Sequence, residues 1–236
     1  MENVTDLKVS QVRVFAADII PISLITANST ADKIKGALSL GEIEVHPTTE
    51  GKNIIIFQRG ELKRDSRLVI INRIVIEPRR IIVDIDGTSK DANEVYEELL
   101  TIISGVGTID LKVLLKPLFV AEGTQCVVTL NFGFDSIFSK EYLEFLKKRV
   151  ATGAESDIAK AVVRPSIALA EITYEIKDQI LLDNKVGLNP KEFRISPRPG
   201  APLDSRRYII ASPFDSDTHL KIIAELDKTI TVKKSK

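Results

Sequence analysis

Arg79-Arg80-Ile81-Ile82-Val83-Asp84-Ile85-Asp86-Gly87-Thr88 is the stretch from which the fold can be read. Its run of branched residues favours a strand, because such side chains pack well on a pleated surface. Gly87 then supplies a turn. Ser89 is placed to cap a helix over 89–103, on which Val95, Leu99, Ile102 and Ile103 share one face at helical spacing. The same arrangement returns later. Arg206-Arg207-Tyr208-Ile209 opens a strand to residue 211, and a helix over 215–230 follows, with Leu220, Ile223, Leu226 and Ile230 apolar and Asp215 or Ser216 as cap.

Working outward, the first half reads as a strand over 9–16 with Val12, Val14 and Ala16 on one face. A helix over 31–38 follows a cap at Asn28-Ser29-Thr30. Strands come next at 41–46, 53–58, 67–76 and 80–85, with a polar turn over 60–65. The second half reads as a strand over 125–132 and a helix over 139–150, with a further helical piece over 155–163. Strands follow at 167–176, 179–182, 192–195 and 206–211. A strand-like segment over 111–115 lies between the halves. Local likenesses keep their order. Phe15 to Ile20 matches Phe132 to Ile137, Leu40 to Ile43 matches Leu169 to Ile172, and Arg79 to Ile82 matches Arg206 to Ile209, at separations of 117, 129 and 127 residues. The expected fold is therefore α+β, a tandem duplication of a β-α-β4-α unit with antiparallel sheets. The units occupy 1–107 and 108–236, joined near Gly105-Val106-Gly107.

This order of elements resembles the fold of the TATA-box-binding protein. The likeness is one of topology and carries over none of that family's functional residues. A second resemblance is local. Asp84-Ile85-Asp86-Gly87-Thr88 looks like the first motif of haloacid dehalogenase-type phosphatases. That resemblance implies Asp84 as nucleophile, Asp86 as general acid/base and Mg²⁺ as cofactor, on a sheet of parallel strands alternating with helices. The motif here follows about 80 residues of strand-rich sequence, and no later acidic pair completes it. A strand end, a turn and a helix cap explain the same residues.

Composition narrows the function classes. Lys+Arg and Asp+Glu both number 33, for a net charge of zero. Phosphate neutralisation drives nucleic-acid binding, so this balance disfavours nucleic acid without excluding a local basic patch. Cys126 is the only cysteine, read as a small buried hydrophobe, with only His46 and His219 to activate it. His219 is expected at the surface. The N-terminus carries no signal-peptide pattern and no apolar run is long enough to span a membrane, so the expectation is a cytoplasmic protein with no membrane association. Glu42, Glu44 and His46 share a strand face and read as solvated rather than as a metal site. Glu175-Ile176-Lys177 resembles the Glu-x-Lys of restriction-type nucleases but lacks an upstream Asp on a neighbouring strand. Arg80 is expected to share a face with Asp84 and Asp86 and to be neutralised there, and Arg73 to share one with Arg67.

The proline-rich loop over 196–205 interrupts regular structure, and with Arg198 and Arg206 it offers charged contacts to a partner. The expected function is a non-enzymatic binding or scaffold protein without a cofactor. It would meet another protein, or another copy of itself, through this loop or through the sheet face carrying Glu42, Glu44 and Arg80. The alternatives are the Mg²⁺-dependent phosphatase and a nucleic-acid binder with local basic patches.

Overall fold

Strand β1 (Glu2–Val14) hydrogen-bonds to a neighbour on each side, and both ladders are antiparallel. On one side lies β5 (Arg80–Asp86), with Val9 opposite Ile85 and Val12 opposite Ile82. On the other lies β6 (Phe119–Thr129), with Lys8 opposite Gln125 and Val14 opposite Phe119. The computed structural model describes residues 1–47, 53–64, 67–106, 110–151, 165–173, 179 and 190–233. Among these, all nine strands form one open antiparallel sheet in the order β2-β3-β4-β5-β1-β6-β9-β8-β7. The outer strands are β2 (Ile43–Pro47), β3 (Asn53–Arg64) and β4 (Arg67–Glu77) on one flank. On the other are β7 (Ala168–Ile172), β8 (Lys191–Pro197) and β9 (Arg207–Ser212).

The described helices are α1 (Ile22–Ile25), α2 (Asn28–Ala37), α3 (Ser89–Val106), α4 (Leu111–Leu114), α5 (Lys140–Phe145) and α6 (Ser216–Lys233). Helix α3 buries Val95, Leu99, Leu100 and Ile103 in the same core as Ile81, Val83 and Ile85 of β5 and Ile71, Ile74 and Ile76 of β4. Each such side chain contributes about 1.5–3 kcal/mol on leaving water. A second cluster joins Cys126, Val128, Tyr208, Ile210 and Ile195 to Ile223 of α6. Phe132 and Phe134 stack on Tyr208, with ring centroids 6.0 and 5.8 Å away. Helix α5, capped by Ser139 accepting from the Tyr142 N–H, buries none of its residues.

Local readings change at several places. The inward face of β1 is Val9, Gln11 and Arg13, continued by Phe15 just beyond it, not Val12, Val14 and Ala16. Two polar residues turn inward because α3 receives them. Arg13 lies 4.2 Å over the Tyr96 ring and donates to Asn93 Oδ1 at 2.8 Å, while Tyr96 Oη donates to the Gln11 and Ile81 carbonyls. Helix α2 starts at Asn28 with Ala27 as its cap residue, and no side chain caps it. Residues 60–64 belong to β3, paired with β4 up to Arg64 opposite Arg67. The segment expected as a strand over 111–115 instead forms the short helix α4 over Leu111–Leu114, because Asp110 accepts from the Lys112 N–H and captures the apolar run for a helical turn. The expected piece over 155–163 and the strand over 179–182 fall outside the described residues, apart from Gln179.

Gly60 shows a close approach that the sequence does not announce. A Cβ there would stand 2.5 Å from Leu40 Cδ2 and 2.7 Å from the Leu38 carbonyl oxygen. The chain leaving α2 lies on β3 at this point, with Glu61 N–H donating to Leu38 O at 2.8 Å. Gly60→Ala is expected to destabilise the protein by about 1–3 kcal/mol through overpacking. Gly123→Ala, whose Cβ would meet only the Ser212 carbonyl at 3.7 Å, should be neutral or stabilising by up to about 1 kcal/mol. Urea unfolding of the two variants checks the contrast.

Candidate functional site

Helices cover one face of the sheet, and alternation along each strand assigns the other face. Lys8, Ser10 and Val12 of β1 lie beside Gln125, Gly123 and Ala121 of β6, and Asp86 and Asp84 of β5 flank them. Three adjoining concavities of about 340, 220 and 560 Å³ run along this face. The first two share Ser10, Gly123 and Ala211, and the first and third share Lys8 and Gln125. Together they form a trough over β1, β6 and β9. Gly123, Ala121 and Ala211 keep its floor low by contributing little side chain.

Charge along the trough is arranged in pairs. Asp84 accepts from Ser10 Oγ at 2.6 Å and from Arg73 Nε and Nη2 at 2.8 and 2.7 Å. Asp86 accepts from Asn72 Nδ2 at 2.7 Å, with Lys8 Nζ at 3.9 Å. The Arg73 contact corrects two expectations. A register shift between Ile71 and Arg73 inserts a bulge into β4, and the extra residue changes which side the following residues face. Arg67 therefore turns to Asp91 and Glu94 of α3, while Arg73 takes the open face and neutralises Asp84. Arg80 pairs instead with Glu77, at 2.5 Å.

The remaining candidates scatter. Glu44 sits on β2, holding His46 at 2.9 Å and Gln58 at 2.6 Å. Glu42 lies just before β2, its carbonyl accepting from the Gln58 N–H. Neither is near Arg80 in the strand order, since β3 and β4 intervene. Arg198 reaches the trough, with Nη2 3.7 Å from Asp6 Oδ2. Arg206 adopts a left-handed backbone (φ 52°) and donates to the Asn131 carbonyl at 3.1 Å, so it does not join Arg198. The loop over 196–205 contains more regular structure than its prolines imply: Pro197 ends β8, and Leu203–Ser205 forms a 3₁₀ turn.

The Asp-Gly-Thr part of the phosphatase-like motif has a local explanation. Thr88 Oγ1 and Asp91 exchange hydrogen bonds with each other's N–H groups, a capping box that makes Thr88, rather than Ser89, the cap of α3. A Cβ on Gly87 would lie 2.8 Å from Asp91 Oδ2. The strand carrying Asp84 and Asp86 is antiparallel to both neighbours, unlike the parallel frame the resemblance implies. No group of three or more His, Cys, Asp or Glu among the described residues could hold a metal ion. Glu175 and Lys177 lie outside the described residues.

His219 is buried rather than at the surface. Its Nε2 lies 3.3 Å from Cys126 Sγ and its Nδ1 2.7 Å from Ser212 Oγ, beneath α6. The contacts resemble a nucleophile–base–orienter array, but burial sets the opposite chemistry. It raises the Cys126 thiol to about 11 and lowers His219 to about 4, so both are neutral near pH 7. With no accessible thiolate, the trio is a hydrogen-bonded part of the second core.

Lys8, Gln125, Gly123 and Asp6 were not singled out from sequence. Gly123 lies just before the expected strand and inside β6 in the structure, and a glycine within a strand marks a bulge or a close approach. Comparison with family models, curated proteins and solved structures returns no match for this chain.

The His219 shift sets a pH dependence. The folded state holds the imidazole at about 4, below its ordinary value of 6.5, so the unfolded chain binds the extra proton between those values. The contribution, up to about 3 kcal/mol, is fully present above pH 6.5 and is lost as pH falls toward 4. Urea unfolding at pH 7, 6 and 5 should show this decline, and His219→Gln should flatten it. Iodoacetamide should modify Cys126 only under unfolding conditions.

Proposed function

We propose that the chain is a non-enzymatic binding protein built from two copies of a β-α-β4-α unit. Its open sheet face receives a segment of another protein or of a second copy of itself. The trough over β1, β6 and β9 carries this reading: it is a long concavity with a small-residue floor, and no side chain of the described residues fills it. The reading needs no cofactor and fits a cytoplasmic setting. No helix among the described residues is long and apolar enough to cross a membrane.

Three observations support the duplication. Strands β5 and β9 occupy matching places, each beside a central strand, and β4 and β8 lie outside them. Phe15 and Phe132, paired in the sequence match, are both buried just after β1 and β6. Ser89 and Ser216 stand 127 residues apart at the starts of α3 and α6, and each N–H donates to the other's Oγ, at 3.1 and 2.9 Å. That separation equals the one relating Arg79 to Arg206. The likeness between Leu40 and Leu169 does not follow this pattern, because β7 stands in the sheet where β3 does. The described part of the second half holds three strands after α5, and the fourth expected one falls outside it.

The phosphatase reading keeps one observation, that Asp84 and Asp86 border the trough. Their engagement by Arg73, Ser10 and Asn72 favours a structural role. The nucleic-acid reading keeps Arg194 and Arg207 on the same face, without an ion pair among the described residues.

Gly123→Lys fills the trough from its floor and Gly123→Ala barely changes it. The wild type and Gly123→Ala should retain the same partner in affinity capture, or the same self-association in sedimentation. Gly123→Lys should lose it at an unchanged melting temperature. Equal retention by Gly123→Lys would move the contact surface elsewhere. The purified protein should show no Mg²⁺-dependent hydrolysis of phosphate esters; activity removed by Asp84→Asn would reverse the ranking.

A further inference from the structure

The largest of the three concavities, about 560 Å³, lies at the end of the trough where β1 is irregular. Two register shifts interrupt the β1–β6 ladder between Glu2 and Lys8, and Asp6 takes a left-handed backbone (φ 51°). Bulges of this kind turn a strand away from its neighbour and re-aim side chains. Here the consequence is a recess with Val127 and Ile209 at its base and a polar border of Asp6, Lys8, Asp86, Gln125 and Arg198.

The border differs from the β4 and β5 side of the face, where Arg73 meets Asp84 at 2.7 Å and Arg80 meets Glu77 at 2.5 Å. Lys8 and Arg198 stand 3.9 and 3.7 Å from Asp86 and Asp6, beyond hydrogen-bonding distance. Asp86 already accepts a bond from Asn72, which leaves Lys8 the freer member of its pair. The Gln125 side-chain amide makes no hydrogen bond among the described residues. A free amide beside two loosely held cations suits a ligand that offers a peptide group and a carboxylate.

Spacing adds a further constraint. Gln125 and Val127 are two residues apart on one face of β6, and Val127 is opposite Ile209. Polar and apolar parts of the recess are therefore separated by about 7 Å, the distance between alternate residues of any extended chain. We infer that the recess takes an extended peptide segment of the partner in which an acidic side chain stands two residues from an apolar one. The carboxylate lies between Lys8 and Arg198, the main chain meets Gln125, and the apolar side chain rests on Val127 and Ile209. This rests on the open face being the binding face.

The test is a titration of the isotope-labelled full-length chain with blocked pentapeptides, followed by amide chemical shifts. Gly-Glu-Gly-Ile-Gly should shift Gln125, Val127 and Ile209, while the Lys-for-Glu and Ser-for-Ile peptides should bind about tenfold more weakly. Lys8→Glu combined with Arg198→Glu should weaken the Glu peptide about tenfold and reverse the preference toward the Lys peptide. Gln125→Ala should weaken all three about equally. Unchanged melting temperatures show that these surface variants fold. Equal binding of the three peptides, insensitivity to the charge reversal, or stronger shifts from a short oligothymidylate at the same residues would overturn the inference. If Gly123→Lys still abolishes partner capture in that case, the open-face reading stands and the peptide class alone is wrong.

Discussion

The backbone ladder between β1 and β6 is the interaction on which the rest of this molecule depends. It joins the two halves into one sheet, from Lys8 opposite Gln125 to Val14 opposite Phe119. Without it the chain would carry two smaller sheets, each with an exposed hydrogen-bonding edge, and no trough, because β1 and β6 supply much of its floor. The helix side repeats the connection in polar form. Gln11 Nε2 donates to Glu122, Ser89 Oγ donates to Glu122 Oε2 at 2.6 Å, and Ser89 and Ser216 tie the first turns of α3 and α6 together. Buried polar groups are expensive unless every partner is present. This network therefore favours one alignment of the two halves and penalises others.

Some of this was legible from residues alone. The branched run from Ile81 to Ile85, the helical spacing of Val95, Leu99 and Ile103, and the helix after Asp215 follow from local propensity, and the structure has all three. Asp215 caps α6 through the Asp217 and Thr218 N–H groups, which holds its carboxyl below the usual range. Legibility failed where distant residues decided the outcome. Period two holds in β1, but hydrophobicity chose the wrong phase, since Arg13 finds Tyr96 and Asn93 only after α3 has packed. His219 looked superficial because its partners, Cys126 and Ser212, stand on two different strands. The bulge that brings Arg73 to Asp84 has no glycine to announce it. The trough was hidden for a related reason: it is defined by what Gly123, Ala121 and Ala211 lack, summed over strands that meet only in the folded sheet.

The two faces manage charge differently. On the helix side a buried cation is matched by a ring and amides, with burial lowering the Arg13 pKa and Tyr96, Glu97 and Glu122 opposing that effect. On the open side around the trough, Arg73, Lys8 and Arg198 each stand beside a carboxylate, so this part of the face carries many charges but little net field. A balanced face of this kind gives weak long-range steering of a highly charged polymer and strong short-range discrimination of a partner's own charge order. That agrees better with recognition of a polypeptide than with a duplex tracked through its phosphates.

The position of β1 has a consequence for biosynthesis. It leaves the ribosome well before its β6 partner, which ends at Thr129. The first half can pair β1 with β5 and build its larger core beforehand, so a nascent chain of that length presents one long, unpaired β1 edge. Such an edge is a template for strands of neighbouring chains. Gln11 and Arg13 sit in the middle of that edge; both meet Asn93 of α3 without β6, and the Gln11 bond to Glu122 waits for it. Polar side chains at the centre of an open edge disfavour premature pairing with an apolar stranger.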